Sequence, residues 1–300
     1  MVDATPIMAT TLAIIGGSGL YELPGLRNVE ELRVTTPFGS PSDSIIRGRM
    51  SGQQGEVTLL FLPRHGRGHR LPPHRINYRA NVFALKELGA QQLVSVSAVG
   101  SLREDIQPGH MVLVDQFIDR TRQRASTFFD ESGVVAHVGF AEPTDPTLSQ
   151  ALRESVEAVG GKVHFGGTYV CMEGPQFSTR AESLLYRNFG AHVIGMTNLP
   201  EAKLAREAEL PYATLAMATD YDCWHQSEEV VTVDAVVAVL NKNVDLAKNT
   251  LRELIGRLPD PTLSPASRAL ENAIITHPTY VTGETRKLLA PLIKKYLPAE

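Results

Sequence analysis

NYRANVFALKELGAQQLVSVSAVGSL, residues 77–102, carries two periodicities side by side. Apolar residues recur at helical spacing through 77–89, which predicts a helix. LVSVSAV (93–99) is instead a short, almost unbroken apolar run, as expected of a strand covered on both faces. The same alternation extends outward in both directions. Strand-like runs stand at LAII (12–15), VTLLFL (57–62), HMVLVDQFI (110–118), VHFGGTYVCM (163–172), HVIGM (192–196) and YATLAMA (212–218). Helical patterns occupy 147–160, 180–190 and 199–210, and a long one, with Thr232 as its candidate cap, fills 233–258. Strands alternating with helices predict an α/β fold around a mainly parallel or mixed sheet.

The chain has 300 residues, a length at which one large α/β domain is admissible. A body of residues 1–258 is expected, with 1–10 as a flexible N-terminus and 259–300 as a C-terminal extension. In that extension PDPTLSPAS (259–267) reads as a linker, and TRKLLAPLIKKYL (285–297) as a short amphipathic helix interrupted by Pro291. The expected role of this helix is packing on the body or on a neighbouring subunit. With 43% hydrophobic and 21% charged residues and a net charge of −4, the composition suits a soluble globular chain. It provides no overall attraction to nucleic acid or to an anionic membrane, so any anion site must be local. Two distant cysteines, Cys171 and Cys223, suggest neither a disulfide framework nor a zinc knuckle. Without a secretion signal or a long apolar span, a cytoplasmic location is expected.

Chemistry-bearing residues collect where the predicted strands end. IIGGSGLYELPG (14–25) puts glycines directly after the first strand but fails the dinucleotide pattern, because position 22 is Glu22. What remains is a turn whose amides and Ser18 hydroxyl suit a phosphate-sized anion, or a plain tight turn. PRHGRGHRLPPHR (63–75) contains Arg64 and His65 and no acidic residue; its guanidinium groups would repel a divalent cation, so it reads as an anion site or as a solvated basic loop. Ser97 and Ala98 lie at a strand end, where ligands of open α/β sheets gather. Phe177, in VCMEGPQFSTR (170–180), offers a ring for stacking or for the core. Met196 and Thr197 close another strand. In ATDYDCW (218–224), Asp220 and Asp222 fall on one face if the strand continues through them. Two adjacent carboxylates in a partly buried site resist double ionisation, so one is held protonated near neutral pH; at a solvated strand end both would ionise.

As an ordered set, IIGGSGLY, TPFGSPSD, RHGRGH, NYRANVFALKELGA, AVGSLREDIQPG, DQFIDRT, EGPQFSTRAES and MATDYDCW closely resemble the methylthioadenosine branch of the purine nucleoside phosphorylase family, over about residues 12–258. The resemblance implies a single domain with a mixed central β-sheet flanked by helices on both faces. It also implies reversible attack of phosphate on the anomeric carbon of methylthioadenosine, with inorganic phosphate as co-substrate and no metal or organic cofactor. Residue by residue, it assigns phosphate binding to Ser18, Arg64, His65, Ser97, Ala98 and Thr197. Substrate contacts fall on Phe177, Met196, Asp220, Tyr221 and Asp222. Ser178 and Val233 match positions that choose the adenine base and the methylthio group, and Val236 with His137, the latter from a neighbouring subunit, would line the 5′ pocket. Asp220 would serve as general acid at the purine and Asp222 would accept from its exocyclic amine. A homotrimer, or a hexamer made of two trimers, is implied. The alternatives are a phosphorylase of 6-oxopurine nucleosides or methylthioinosine, a hydrolase on the same fold, and a non-catalytic nucleoside sensor.

Overall fold

The computed structural model describes residues 10–17, 20, 23–53, 55–130, 132–225 and 233–297, and within the last segment not the side chains of 233–238 and 240. Among these residues, eleven strands join in one sheet. They are β1 (Thr11–Gly16), β2 (Arg27–Leu32), β3 (Ile45–Gly52), β4 (Gly55–Pro63), β5 (Gln92–Ser101), β6 (Met111–Leu113), β7 (Gln116–Arg120), β8 (Val163–Phe165), β9 (Thr168–Met172), β10 (Val193–Gly195) and β11 (Tyr212–Tyr221). The helices are α1 (Tyr78–Glu87), α2 (Pro146–Ala158), α3 (Arg180–Asn188), α4 (Asn198–Glu207), α5 (Val233–Ile255), α6 (Gly283–Leu288) and α7 (Ala290–Ile293).

Strand residues alternate between two cores, as the pleat requires. Ala13, Ile15, Leu60, Leu62 and Ala216 face α1, α4 and the C-terminal α7, whereas Leu12, Ile14, Leu59, Phe61 and Leu215 face α2 and α5. Helices therefore cover both faces, which explains the continuous apolar runs of β1, β4, β5 and β11. Parallel pairs (β1 with β4 and β5, β5 with β11) and antiparallel pairs (β2–β3, β3–β4, β10–β5) coexist, so the sheet is mixed.

The sheet forks at β5. One edge of β5 pairs with β11 from Leu93 to Ser101. On the other edge, β1 pairs only as far as Ser95, and β10 takes over at Gly100. Val96 to Val99 thus lie on an edge that β1 has left and β10 has not yet joined. The two branches explain a departure from the expected strands: 110–118 and 163–172 each fold as two short strands. β6 pairs with β11 and β8 in one branch, and β7 pairs with β9 in the other. The chain crosses between branches where the Asp115 carboxylate accepts the Gly167 N–H at 3.0 Å and Gly166 and Gly167 take left-handed backbone angles. β2 and β3 carry little of the apolar signature, β2 being exposed along nearly its whole length.

The stretch 259–267 forms two 3₁₀ turns, and Ser264 donates to the buried Asp145, the cap of α2. Beyond it, Glu209 accepts from the Leu270 N–H at 3.0 Å and the Tyr296 hydroxyl at 2.5 Å, while Leu289, Leu292 and Ile293 enter the core beside α1. No described helix is long and apolar enough to cross a membrane.

Candidate active site

Arg64 follows β4 and is driven into the fork. Its side chain is 2% exposed; Nε and Nη2 form a bidentate pair with Glu201 of α4 at 2.9 and 3.1 Å, itself 1% exposed. Nη2 also reaches the Ile15 carbonyl at 3.1 Å and Ser95 Oγ at 2.7 Å, and Nη1 donates to the Val96 carbonyl at 2.9 Å. The guanidinium therefore replaces the missing ladder partner of β5 at the split. Burial opposes its charge, but Glu201 holds it protonated. Of its five N–H groups, one on Nη1 has no partner among the described residues. Because Glu201 already balances the charge, Arg64 offers an anion a directed donor more than net positive charge.

The neighbouring candidates lie on the strand ends and loops that border this split. Ser97 Oγ lies 3.1 Å from Asn198 Oδ1, whose amide in turn bonds Thr214 at 2.6 Å. Ala98 is exposed in a strand buried on either side of it, and in an extended strand its backbone groups face the same edge as those of Val96. Thr197 precedes α4 and is buried, with its N–H 3.4 Å from the Tyr169 hydroxyl. His65 has Nδ1 2.8 Å from the Leu71 carbonyl and stacks on His69 at 4.1 Å. Burial pushes its imidazole down to about 4, so the ring is neutral at pH 7 with Nδ1–H donating to Leu71 and Nε2 carrying the lone pair. Arg67 and Arg70 are not free donors here: Arg67 pairs with Glu31 at 3.1 Å, and Arg70 lies 3.7 Å from Asp43. Ser18 and Thr232 lie outside the described residues, and Val233 and Val236 lie in α5 with side chains that are not described.

The carboxylate pair sits beyond the fork, where β11 ends. A bulge at Thr219 shifts the register with β5, so that Asp220 pairs with Gly100. A side chain at Gly100 would place its Cβ 3.2 Å from Asp220 Oδ1 and 3.4 Å from Asp222 Cβ. Glycine thus lets both acids close over the end of β5. Asp220 Oδ2 accepts from Thr219 Oγ1 at 2.7 Å, yet burial, reinforced by the charge of Asp222, pushes its carboxyl up to about 6. Asp222 is also raised, by burial above all, and its Oδ2 has no hydrogen-bond partner among the described residues. A carboxyl raised to about 6, beside an unsatisfied buried acceptor, suits proton donation to a ligand and reception of a ligand N–H.

Around this pair, Cys223 Sγ contacts the Ser178 carbonyl at 3.3 Å, and Ser178 Oγ lies 3.7 Å from Met172 Sδ. Tyr221 stacks on His225 at 4.4 Å and donates to the Glu104 carbonyl at 3.2 Å. Met196 is half-buried, and Phe177 is 60% exposed. His137 is exposed on a segment whose N–H bonds the Ala273 carbonyl at 2.9 Å, and none of its described bonds reaches the other candidates.

Two residues that the motifs did not single out hold the site together. Glu201 anchors Arg64. Arg124, in the loop after β7, has a side chain only 2% exposed; it donates to the Met196 and Leu199 carbonyls at 2.7 Å each, to the Glu173 carbonyl at 2.7 Å and to the Glu173 carboxylate at 2.8 Å. It ties the ends of β9 and β10 together and so fixes the backbone on either side of Thr197. Neither residue has a local signature, because the ion-pair partner of Glu201 lies 137 positions away and that of Arg124 lies 49 away.

Residues 11–256 match the sequence model of the phosphorylase superfamily, which defines the class. The S-methyl-5′-thioadenosine phosphorylase of Geobacter sulfurreducens is 53% identical, covering 97% of this chain and 100% of that protein. That of Koribacter versatilis is 52% identical, covering 96% and 97%. A methylthioadenosine phosphorylase from an antarctic soil metagenomic library superposes with a TM-score of 0.88 at 48% identity, covering 95% of this chain and 99% of that one. The methylthioadenosine phosphorylase of Schistosoma mansoni, solved with adenine, gives 0.76 at 39% identity, covering 82% and 91%. The chain belongs to the S-methyl-5′-thioadenosine phosphorylase family, a family of pentosyltransferases.

Proposed function

We propose that the protein catalyses reversible phosphorolysis of S-methyl-5′-thioadenosine to adenine and S-methyl-5-thioribose 1-phosphate, in methionine and purine salvage. The observation that carries this reading is the Asp220–Asp222 pair closed over Gly100, with Asp220 held at about 6, beside a fork lined by Arg64, Ser97 and Thr197. A phosphate oxygen in the fork attacks the anomeric carbon as the glycosidic bond breaks and its electron pair moves to the purine. Asp220 gives its proton to the imidazole-ring nitrogen of the leaving base, a contribution of roughly 10²–10⁴-fold. The proton is restored from the hydrogen phosphate that became the sugar ester, so hydrogen and charge balance. Asp222 accepts from the exocyclic amine, which a 6-oxopurine lacks at that position.

The phosphate cradle in this reading comprises Ser18, Arg64, His65, Ser97, Ala98 and Thr197. His65, neutral in the free protein, meets the anion through Nε2 and takes up a proton as phosphate binds. Phe177 and Met196 flank the nucleoside, Ser178 lies beside the base, and Val233, Val236 and His137 of a neighbouring subunit close the 5′ side. Phosphate is the co-substrate, with no metal or organic cofactor, in a cytoplasmic homotrimer or a hexamer of two trimers. The exposed apolar side chains of Phe177, Leu184, Leu185 and Phe189 support subunit contact near α3, and sedimentation tests it. The functional test compares methylthioadenosine, methylthioinosine and adenosine with and without phosphate. Phosphate-dependent release of adenine from methylthioadenosine is expected. Faster turnover of methylthioinosine, or release of adenine without phosphate, would overturn the assignment.

A further inference from the structure

Asp222 stands just past the last residue of β11, so its carboxylate is aimed by a turn and not by a strand ladder. The turn is closed by the His225 N–H on the Asp222 carbonyl at 3.2 Å. What ties it to the sheet is a single acceptor: the Ser101 carbonyl, at the end of β5, takes the Asp222 N–H at 3.0 Å and the Trp224 indole N–H at 2.8 Å. Both lone pairs of that oxygen thereby hold the same turn. The indole is itself fixed on both sides. The Arg187 guanidinium of α3 lies 3.4 Å from its ring centroid and donates to the Leu102 carbonyl at 2.9 Å. Tyr221 and His225 meet it edge-on, with centroids at 5.9 and 5.1 Å. The ring also packs against the small core formed by Leu102, Val170, Tyr186 and Ile194.

Resting on the base-recognition role proposed for Asp222, we infer that Trp224 is a positioning residue for purine selectivity, its indole N–H and the Ser101 carbonyl setting the direction of the Asp222 carboxylate. Phe at 224 would keep a ring on Arg187 but lose the hydrogen bond to Ser101. The Asp222 turn would then keep one of its two bonds to that carbonyl, and the carboxylate, whose buried Oδ2 has no hydrogen-bond partner among the described residues, would be aimed less strictly at the amine it reads.

The test measures adenine and hypoxanthine affinities by calorimetry in the presence of phosphate, for the wild type, Trp224→Phe, Asp222→Asn and the double variant. Binding of free bases makes the readout independent of turnover. Trp224→Phe is expected to reduce the adenine-over-hypoxanthine preference by about tenfold, as for loss of one neutral hydrogen bond, with phosphate affinity unchanged. On the Asp222→Asn background the same change is expected to do nothing further, because both substitutions act through one carboxylate. An unchanged preference in Trp224→Phe, or additive losses in the double variant, would overturn the inference. A wild type that binds hypoxanthine as tightly as adenine would overturn the base assignment instead. Since Trp224 is the one tryptophan in the chain, replacing tryptophan biosynthetically by its benzothienyl analogue exchanges the indole N–H for sulfur, which cannot donate, and keeps the bicyclic ring. The same loss of preference is expected there, and this arm decides the matter if Trp224→Phe does not fold.

Discussion

Replacing Asp220 by asparagine removes the proposed acid while keeping its shape and an acceptor for the Thr219 hydroxyl. Its carboxyl moves from an ordinary value of 3.8 to about 6 in the folded protein, through burial first and the Asp222 charge second. At about 1.4 kcal/mol per pH unit, ionised Asp220 disfavours the fold by at most about 3 kcal/mol. Because the folded state binds the proton more tightly, this penalty is absent below pH 4, grows as pH rises through 6, and is complete by about pH 8. An uncharged amide never incurs it. Asp220→Asn should therefore match the wild type in stability at pH 4 and exceed it by about 1–3 kcal/mol at pH 8, the lower figure allowing for solvent reaching the carboxylate. Turnover on methylthioadenosine should fall in the opposite sense, by roughly 10²–10⁴-fold, with relative preference moving toward methylthioinosine. Denaturant titrations at the two pH values and phosphorolysis kinetics at pH 7.5 measure both sides. Unchanged turnover would remove Asp220 from the mechanism. An equal stability difference at both pH values would refute the burial argument.

Gly100→Ala places a Cβ 3.2 Å from Asp220 Oδ1 and from Ile194 Cγ2, so the acids must give way. About 1–3 kcal/mol of destabilisation is expected from overpacking, with kcat/KM lowered by roughly tenfold or more at folding temperatures; wild-type kinetics would show that the spacing of the acids is not critical. Glu201→Gln leaves the buried Arg64 charge without its partner and should destabilise the protein by about 3–5 kcal/mol. Phosphate, then the only counter-charge to Arg64, should raise Tm more in this variant than in the wild type. An equal phosphate response in thermal scans would place the anion away from Arg64.

The buried runs of β1, β4, β5 and β11 were legible in sequence because helices cover both faces of the sheet and leave little room for polar alternation. The helices α1 to α5 followed from their apolar spacing, and the ordered motifs led to the family. β2 escaped because an exposed edge strand carries no hydrophobic code. The breaks within 110–118 and 163–172 escaped because both halves of each run remain apolar while changing partners.

At the site, the sequence by itself supplied the chemical types: a pair of aspartates after an apolar strand, an Arg-His pair in a loop, hydroxyls at strand ends. Only the tertiary structure decided what those groups are able to do. It balanced Arg64 with Glu201, fixed the tautomer of His65 through Leu71, and let Gly100 bring Asp220 and Asp222 together where burial holds Asp220 near neutrality. The physical reason is that side-chain identity is local, whereas ionisation and donor direction depend on burial and on partners brought from distant parts of the chain.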